Sequence, residues 1–193
     1  HGRITKPLPG VQLNRSHPLT RGLVGYWLFN EGGGLRAHDL TGVNHGTLTN
    51  GPQWTGGRSG RALSFDGSND YVESANSTSV QVSNGTVSAW IKTSGAGASF
   101  RGIVIKQNAY GILLTDNVLG IYDWGGGAER STGVNLADNQ WHHVVVVFQS
   151  GVSNGTIMYS DGTSRLTTTM TVSNQSRVVR IGNSTNISDA DST

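Results

Sequence analysis

The chain has no cysteine, few charged residues and no long apolar run. The lack of cysteine excludes disulfides, thiolate metal sites and cysteine nucleophiles. No window of 18 apolar residues occurs, so we expect no membrane-spanning helix. Charged residues make up only 13% of the 193 residues, whereas Gly alone accounts for 28. This composition is typical of one domain built from many short strands and tight turns.

Positive charge is concentrated towards the N-terminal end. Residues 1–61 carry seven Lys and Arg against two acids, and residues 62–193 carry seven against ten, which together give the net charge of +2. The first 21 residues contain four cations, three prolines and no acid. We interpret residues 1–21 as an extended basic arm. Such an arm is either solvated or docks on an acidic surface, a nucleic acid or a neighbouring subunit.

Short segments of alternating apolar residues predict about a dozen strands. In Thr86–Lys92, for example, Val87, Ala89 and Ile91 fall on one face and Trp90 on the other. Strands at this spacing predict a β-sandwich or jelly roll without long helices. The predicted strands are Gly22–Asn30, the end of His38–Leu48, Leu63–Phe65, Tyr71–Glu73, Thr86–Lys92, Gly102–Lys106, Tyr110–Thr115, Val118–Asp123, Trp141–Gln149, Thr156–Tyr159, Arg165–Val172 and Arg177–Gly182.

Six motifs follow one another along the chain. They are GLVGYWLFNEGGG from Gly22, HDLTGVNHGTL from His38, GRALSFDGSNDYVE from Gly60, TVSAWIK from Thr86, NQWHHVVVVF from Asn139 and GTIMYSDG from Gly155. In this order they closely resemble bacterial and phage laminin-G-like domains, over about residues 22–182. The resemblance implies an all-β, concanavalin-A-like jelly-roll sandwich of two antiparallel sheets at residues 22–193. It implies less about function, because this fold carries lectins, adhesion modules, pentraxins and glycanases.

The chain departs from this resemblance at its C-terminal end. In the family, a last strand of the form Gly-x-Ile-Asp-Asp/Glu-Val-Arg-Ile-Tyr pairs beside the strand equivalent to Gly22–Asn30, and no such segment occurs here. An open edge beside an apolar strand invites pairing with another chain. We therefore expect either that the sequence is truncated before this strand, or that the arm 1–21 or a neighbouring subunit, in a homo-oligomer or strand exchange, covers this edge.

The sequence offers no clear catalytic group. Glycanases of this broad fold use two carboxylates on one strand face, but none of the three glutamates, Glu31, Glu73 and Glu129, has a carboxylate two residues further on. His142 and His143 are adjacent in a strand, so their rings face opposite sides and cannot share one metal ion. No phosphate loop, zinc-finger spacing or RNA-binding signature occurs. We expect neither catalysis nor nucleic-acid binding.

One loop combines aromatic and polar residues in the way that a sugar-binding site would. Tyr122, Asp123 and Trp124 end a predicted strand and precede the glycines of residues 125–127. Asn108 would lie nearby if the two strands are neighbours, and each aromatic ring could instead pack on the sheet. The predicted ligand-binding residues are Tyr122, Asp123, Trp124, Asn108, Tyr110 and Trp54.

Calcium is the cofactor that the sequence suggests, because Ca²⁺ prefers carboxylate, amide and carbonyl oxygens. The turn between two predicted strands supplies Asp66 and Asp70. The resemblance to pentraxins implies a second set of ligands, with amides at several positions where that family has acids. This second set comprises Asn108, Asn183, Asn186 and Asp189.

The sequence therefore predicts a non-catalytic, lectin-like adhesion module that binds glycans or surface partners. Its composition and the resemblance suggest an extracellular place, on a bacterial surface or a virion. One alternative is a structural decoration protein of a phage or virus particle that docks through the arm 1–21. The other alternative is a glycan-active enzyme.

Overall fold

The computed structural model describes residues 6–7, 11–95, 100–173 and 175–182. These residues form 14 strands and two single-turn 3₁₀ helices, Pro18–Thr20 and Thr78–Val80, which confirms the predicted all-β fold. In this part of the chain no helix is long and apolar enough to cross a membrane. The strands are β1 (Arg36–Ala37), β2 (Gly46–Thr49), β3 (Gln53–Gly56), β4 (Arg61–Ser64), β5 (Tyr71–Ser74), β6 (Asn84–Lys92), β7 (Phe100–Lys106), β8 (Tyr110–Thr115), β9 (Val118–Asp123), β10 (Ala128–Asn135), β11 (Trp141–Gln149), β12 (Thr156–Ser160), β13 (Thr163–Thr168) and β14 (Val179–Ile181).

The strands form two antiparallel sheets and one separate hairpin. The larger sheet has eight strands in the order β1-β2-β5-β14-β7-β8-β9-β10, and the smaller has four in the order β13-β12-β11-β6. Strands β3 and β4 pair only with each other. The smaller sheet has a long uninterrupted register between β6 and β11, from Trp141 opposite Lys92 to Gln149 opposite Asn84.

The main core lies between the two sheets. Alternate residues of β8 and β9 point inwards from the larger sheet, and alternate residues of β11 point inwards from the smaller one. The Tyr110 ring stacks on Phe148 across this core, with ring centroids 5.0 Å apart. The buried members are Ala109, Tyr110, Ile112, Leu114, Leu119, Ile121, Leu136, Val144, Val146, Phe148, Met158 and Met170.

A second, smaller core lies towards the other end of the larger sheet. It is centred on Ala37, Leu48, Val72 and Ile181. The β3–β4 hairpin contributes to it, because Trp54 and Leu63 face each other across the hairpin and pack on this cluster. The hairpin, which the sequence predicted only in part, is thereby fixed to the sandwich although it joins neither sheet.

The prediction of a strand at Gly22–Asn30 was wrong. With the described residues, this segment makes one isolated bridge, between Trp27 and Asp39. Phe29 has a φ angle of 51°, in the left-handed region, and a strand cannot continue through that conformation. Trp27 and Phe29 turn their rings into the second core, whereas the Tyr26 side chain remains 41% exposed.

The described part of the predicted arm contacts the domain at several points. The Lys6 Nζ donates hydrogen bonds to the carbonyls of Leu28, at 2.7 Å, and Arg61. The Asn30 side chain donates to the carbonyl of Pro7 at 2.8 Å. Arg15 donates to the carbonyl of Thr41. These bonds join the arm to the Gly22–Asn30 segment, to the turn end of the hairpin and to the loop that follows β1.

Two other strand predictions differ from the structure. Strand β10 was not predicted, because its sequence AERSTGVN has no sustained apolar alternation. The strand predicted to reach Val172 ends at Thr168. Beyond it, Met170 is fully buried in the main core and its carbonyl accepts a bond from Gly151, so the chain leaves the sheet.

The buried Asp39 carboxylate holds the loop that follows β1. Its two oxygens accept hydrogen bonds from the backbone N–H groups of Tyr26 at 2.8 Å, Thr41 at 2.9 Å and Asn44 at 2.9 Å. The Thr41 hydroxyl also donates to it. Burial opposes its ionisation, but these hydrogen bonds keep the pKa of Asp39 below its usual value. Asp39 thus links this loop to the Gly22–Asn30 segment, together with bonds from Asn44 to the Val24 carbonyl and from Trp27 to the Asn44 carbonyl.

His142 links two loops at one end of the smaller sheet. Its Nδ1 lies 2.7 Å from Asp161 in the β12–β13 turn, and its Nε2 lies 3.0 Å from Asp138 in the β10–β11 loop. Hydrogen bonds to the two carboxylates raise the pKa of His142. An imidazole whose two nitrogens both face carboxylates is favoured in its doubly protonated form.

We expect Asp39→Asn to destabilise the fold. The amide has one acceptor oxygen where the carboxylate has two, and its NH₂ group would face N–H donors. Buried donors without a partner cost about 1–3 kcal/mol, so the free energy of unfolding should fall by about that amount in urea titrations. Asp116→Asn in the exposed β8–β9 turn is the control, with a change below about 0.5 kcal/mol. Equal effects of the two substitutions would contradict the anchoring role of Asp39.

We also expect His142 to make stability depend on pH. The pKa of His142 is raised from 6.5, so its contribution is complete below pH 6.5 and is lost as the pH rises through the folded-state pKa. The pKa values of Asp138 and Asp161 are lowered from 3.8, so their contribution is lost as the pH falls below that value. The stability difference between wild type and His142→Gln should be largest between these limits. Urea midpoints across this range check it, and a difference that does not vary with pH would refute the linkage.

Candidate functional site

The outer face of the larger sheet carries the loop that the sequence predicted as a binding site. Leu119 and Ile121 of β9 point into the main core, so Gly120 and Tyr122 point outwards. A Cβ atom added to Gly120 would lie 3.3 Å from the Glu129 carboxylate and 3.6 Å from Leu113. Glycine at this position therefore leaves room for the neighbouring side chains on the outer face.

Two aromatic rings stand at the end of β9. The ring centroids of Tyr122 and Trp124 are 5.4 Å apart and the rings are tilted by 59°. Both side chains are half-buried, and the three glycines that follow, residues 125–127, are exposed. Glu129 lies directly opposite Tyr122 on β10 and accepts a hydrogen bond from the Thr115 hydroxyl at 3.0 Å. We call Tyr122, Trp124 and Glu129 the rim site.

Asp123 supports the rim site from beneath rather than facing a ligand. Only 4% of this residue is exposed. Its carboxylate accepts bonds from the N–H groups of Gly126 at 3.0 Å and Thr171 at 2.9 Å, and from Arg130 at 3.1 Å. Burial opposes ionisation, but these bonds keep the pKa of Asp123 below its usual value. The predicted ligand contact is thus an internal anchor that shapes the loop.

Asn108 lies at the same end of the sandwich as the rim site. Strands β8 and β9 are neighbours, as the sequence-based argument required. One chain segment connects the two turns: the Thr171 carbonyl accepts from Gly125, and the Asn108 carbonyl accepts from Ser173 at 3.0 Å. Asn108 has a φ angle of 64° and its side chain is half-buried. A role for its side chain in ligand binding stays a prediction.

Two predicted ligand residues occupy structural positions instead. Tyr110 is 5% exposed, stacks on Phe148 and donates its hydroxyl to the carbonyl of Val80 at 2.7 Å. Burial raises the pKa of Tyr110 to about 12. Trp54 packs on the second core and its indole N–H donates to the carbonyl of Gly34 at 2.9 Å. The sequence pattern could not show which way either ring points.

The predicted calcium ligands are placed only in part. Asp66 accepts bonds from the N–H groups of Ser68 and Asn69, and Asp70 accepts from the N–H of Asp66, so both carboxylates support their own turn. Asn183, Asn186 and Asp189 lie outside the described residues. Within the described part of the chain, no three His, Asp or Glu side chains group as metal ligands. Calcium binding through these oxygens stays a prediction.

A second surface, on the outer face of the smaller sheet, was not assigned by the sequence analysis. Trp90 projects outwards from β6 and is 45% exposed. His143, directly opposite on β11, stacks beside it with ring centroids 5.0 Å apart. The guanidinium carbon of Arg58 lies 3.8 Å from the Trp90 ring centroid. Arg58 comes from the β3–β4 turn, so only the tertiary fold brings this group together.

The strand order separates the two glutamates on the outer face of the larger sheet. Glu73 lies on β5 and Glu129 on β10, five strand positions apart. At about 4.8 Å for each strand spacing, this is about 24 Å. Glycosidases place their two carboxyl groups about 5–10 Å apart. These two residues therefore cannot act together as an acid and a nucleophile or base.

Solved structures with this fold include toxin chains. A crystal structure of an HCR/D mutant has a TM-score of 0.56 at 16% identity, covering 78% of this chain and 40% of that one. A structure of botulinum neurotoxin type C has a TM-score of 0.52 at 16% identity, covering 84% and 45%. A carbohydrate binding module from Bacillus subtilis gives a weaker TM-score of 0.44 at 14% identity, covering 72% and 88%.

At identities this low the likenesses concern the fold alone, and this chain spans less than half the length of the first two of these chains. No curated protein matches the sequence. A laminin G family model, described as the concanavalin A-like lectin/glucanases superfamily, matches residues 66–192. This range contains both sheets from β5 onwards, and it confirms the family that the six motifs indicated. The chain belongs to the concanavalin A-like lectin/glucanases superfamily.

Proposed function

We propose that this protein is a non-catalytic carbohydrate-binding module whose ligand lies on the rim site. The observation that carries the proposal is the pair of half-exposed rings, Tyr122 and Trp124, at the open end of β9 beside three exposed glycines. Aromatic rings offer an apolar face with a polar edge, which suits the C–H faces and hydroxyl groups of a sugar ring. The glycines have no side chains, so a ligand can approach this part of the loop closely.

The polar groups around the rings suit hydroxyl recognition. Glu129 has carboxylate oxygens that can accept hydrogen bonds from sugar hydroxyls, and the Thr115 hydroxyl holds one of them in place. The Trp124 indole N–H is buried and has no hydrogen-bond partner among the described residues. Such groups are rare in folded proteins and are often found at functional sites. A ligand oxygen could accept from this N–H after a small shift of the glycine loop.

The alternatives have less support. The separation of Glu73 from Glu129 argues against a glycosidase that uses this pair. The described arm residues bond to their own domain, so docking on a virus particle would need other groups. Cell entry of botulinum neurotoxin type C, which shares the fold, depends on its interaction with two ganglioside molecules. We propose an extracellular place for this module as well, where shallow sites act through several copies.

Substitution of the rim aromatic residues should weaken glycan binding. We expect Trp124→Ala and Tyr122→Ala each to lower the affinity for a glycan identified on an array by about tenfold or more, because a central aromatic contact is commonly worth above about 1 kcal/mol. Isothermal titration with that glycan measures the loss. Tyr26→Ala is the matched control, because Tyr26 is an exposed tyrosine on the N-terminal segment.

Two results would contradict this assignment. One is a glycan whose affinity is unchanged in both rim variants while their melting temperatures remain those of the wild type. The other is release of reducing ends from a bound polysaccharide by the pure protein, which would make the module an enzyme. Loss of binding in Tyr26→Ala to the same extent would place the ligand elsewhere on the domain.

A further inference from the structure

The outer face of the smaller sheet holds an arginine fixed over an aromatic ring. Arg58 stacks on Trp90 at 3.8 Å from the ring centroid, and the side chain of Arg58 is exposed. A guanidinium that stacks through its flat face keeps its N–H donors in the plane, directed away from the ring. Among the described residues, Arg58 makes no ion pair.

The loop that carries Arg58 is held in place. Gly57 donates to the carbonyl of Gly60 at 2.9 Å, which closes the turn. The Lys6 backbone N–H donates to the Ser59 hydroxyl at 3.1 Å, and the Arg61 N–H donates to the Asn30 side chain at 2.9 Å. Arg58 is therefore presented by a turn that is bonded on both sides, which limits the entropy lost when it binds a ligand.

Other groups on this face add positive charge and hydrogen-bonding capacity. Lys92 follows Trp90 on the same side of β6 and is exposed. His143 stacks on Trp90 and its Nε2 lies 2.8 Å from the Ser88 hydroxyl. Asp161 is the carboxylate that contacts this strand, and it is bonded to His142 and to the backbone N–H of His143. The face thus combines aromatic surface with two cations, Arg58 and Lys92, that form no ion pair with any described residue.

We propose that this face, centred on Arg58, Trp90 and Lys92, is a second binding site that takes a carboxylated sugar. A planar carboxylate accepts two parallel N–H bonds from a guanidinium, which is the geometry that the stacked Arg58 offers. The sugar ring that carries the carboxylate would lie along the exposed surface of Trp90, with Lys92 beside the next acidic residue of the polymer. A polyuronate is the simplest ligand of this chemistry.

This site is separate from the rim site. Trp90 lies on the outer face of the four-stranded sheet, whereas Tyr122 lies on the outer face of the eight-stranded sheet, with the main core between them. The inference takes from the proposed function only the view that the domain binds glycans. The ligand charge differs as well, because the rim site carries the acidic Glu129 and the second site carries cations.

The test compares two polymers that share one backbone and differ in whether their carboxyl groups are free or methyl-esterified. Polygalacturonate presents carboxylates, and fully methyl-esterified polygalacturonate has the same backbone without them. We expect the wild-type protein to bind the first and not the second in isothermal titrations at low salt, and to lose affinity as salt is added. Arg58→Gln and Trp90→Ala should each lower the affinity for polygalacturonate by about tenfold or more, because hydrogen bonds to charged groups contribute more than neutral ones.

The controls separate this site from general attraction and from the rim site. Arg36→Gln removes an exposed arginine of β1 and should leave the affinity unchanged. Tyr122→Ala should also leave polygalacturonate binding unchanged, while Arg58→Gln should keep the binding of the rim ligand found on the array. Melting temperatures show whether each variant is folded. If the rim proposal alone is wrong, polygalacturonate binding still depends on Arg58.

Three results would overturn the proposal. The first is equal affinity of the wild type for the acidic and the esterified polymer. The second is wild-type affinity for polygalacturonate in a folded Arg58→Gln variant. The third is binding of dextran sulfate or a single-stranded oligonucleotide as tightly as polygalacturonate, with the same dependence on Arg58, which would indicate a general polyanion surface.

Discussion

The loops of this cysteine-free protein are tied to its sheets by charged groups that are buried and bonded to backbone atoms. Asp39 accepts hydrogen bonds from N–H groups of two segments near β1. Asp123 accepts them from N–H groups of the β9–β10 loop and of the chain beyond β13. The fully buried Lys106 donates hydrogen bonds instead of accepting them, to the Asn76 side chain at 2.8 Å and to the carbonyl of Arg177. Each group connects segments that are distant in sequence, which is the role disulfides have in many secreted domains.

The same principle explains why the two candidate sites are well formed although they lie on loops and outer faces. Asp123 fixes the strand end from which Tyr122 and Trp124 project, and the Lys6 and Asn30 bonds fix the turn that presents Arg58. Rigid support lowers the entropy cost of binding, so a shallow site with few contacts can still be selective. In both places the supporting residues are less exposed than those that would meet the ligand. Asp123 is buried and the two rings are half-buried, whereas Lys6 and Asn30 are half-buried and Arg58 is exposed.

The sequence predicted most of the strands and the fold family, because buried strands leave an alternating pattern and the turns leave glycine and aspartate. It failed at Gly22–Asn30, where the apolar pattern is strong but Phe29 takes a left-handed conformation and Asp39 captures the Tyr26 N–H. It also missed β10, whose polar residues at a sheet edge carry no periodic signal. An apolar pattern indicates burial, but the Gly22–Asn30 segment is shaped by its hydrogen bond to Asp39, and β10 is defined by its pairing with β9 at the edge of the sheet.

The candidate sites divide in the same way. The sequence placed Tyr122 and Trp124 together because they are two residues apart at a strand end. It could not tell that Asp123 and Tyr110 point inwards, since inward and outward positions of a short strand differ only in the register of the whole sheet. The stack of Arg58 on Trp90 joins residues from different elements, and no spacing rule connects them.

The irregular end of β10 has a further consequence for how molecules of this protein meet. This strand is the last in the larger sheet, and its pairing with β9 shifts between Ser131 and Asn135, where Gly133 has a φ angle of 72°. The donors and acceptors along its outer side are therefore not evenly spaced, and a flat strand from another molecule cannot match them over its full length. The irregularity of the strand that carries Glu129 thus disfavours edge-to-edge pairing on this side of the larger sheet.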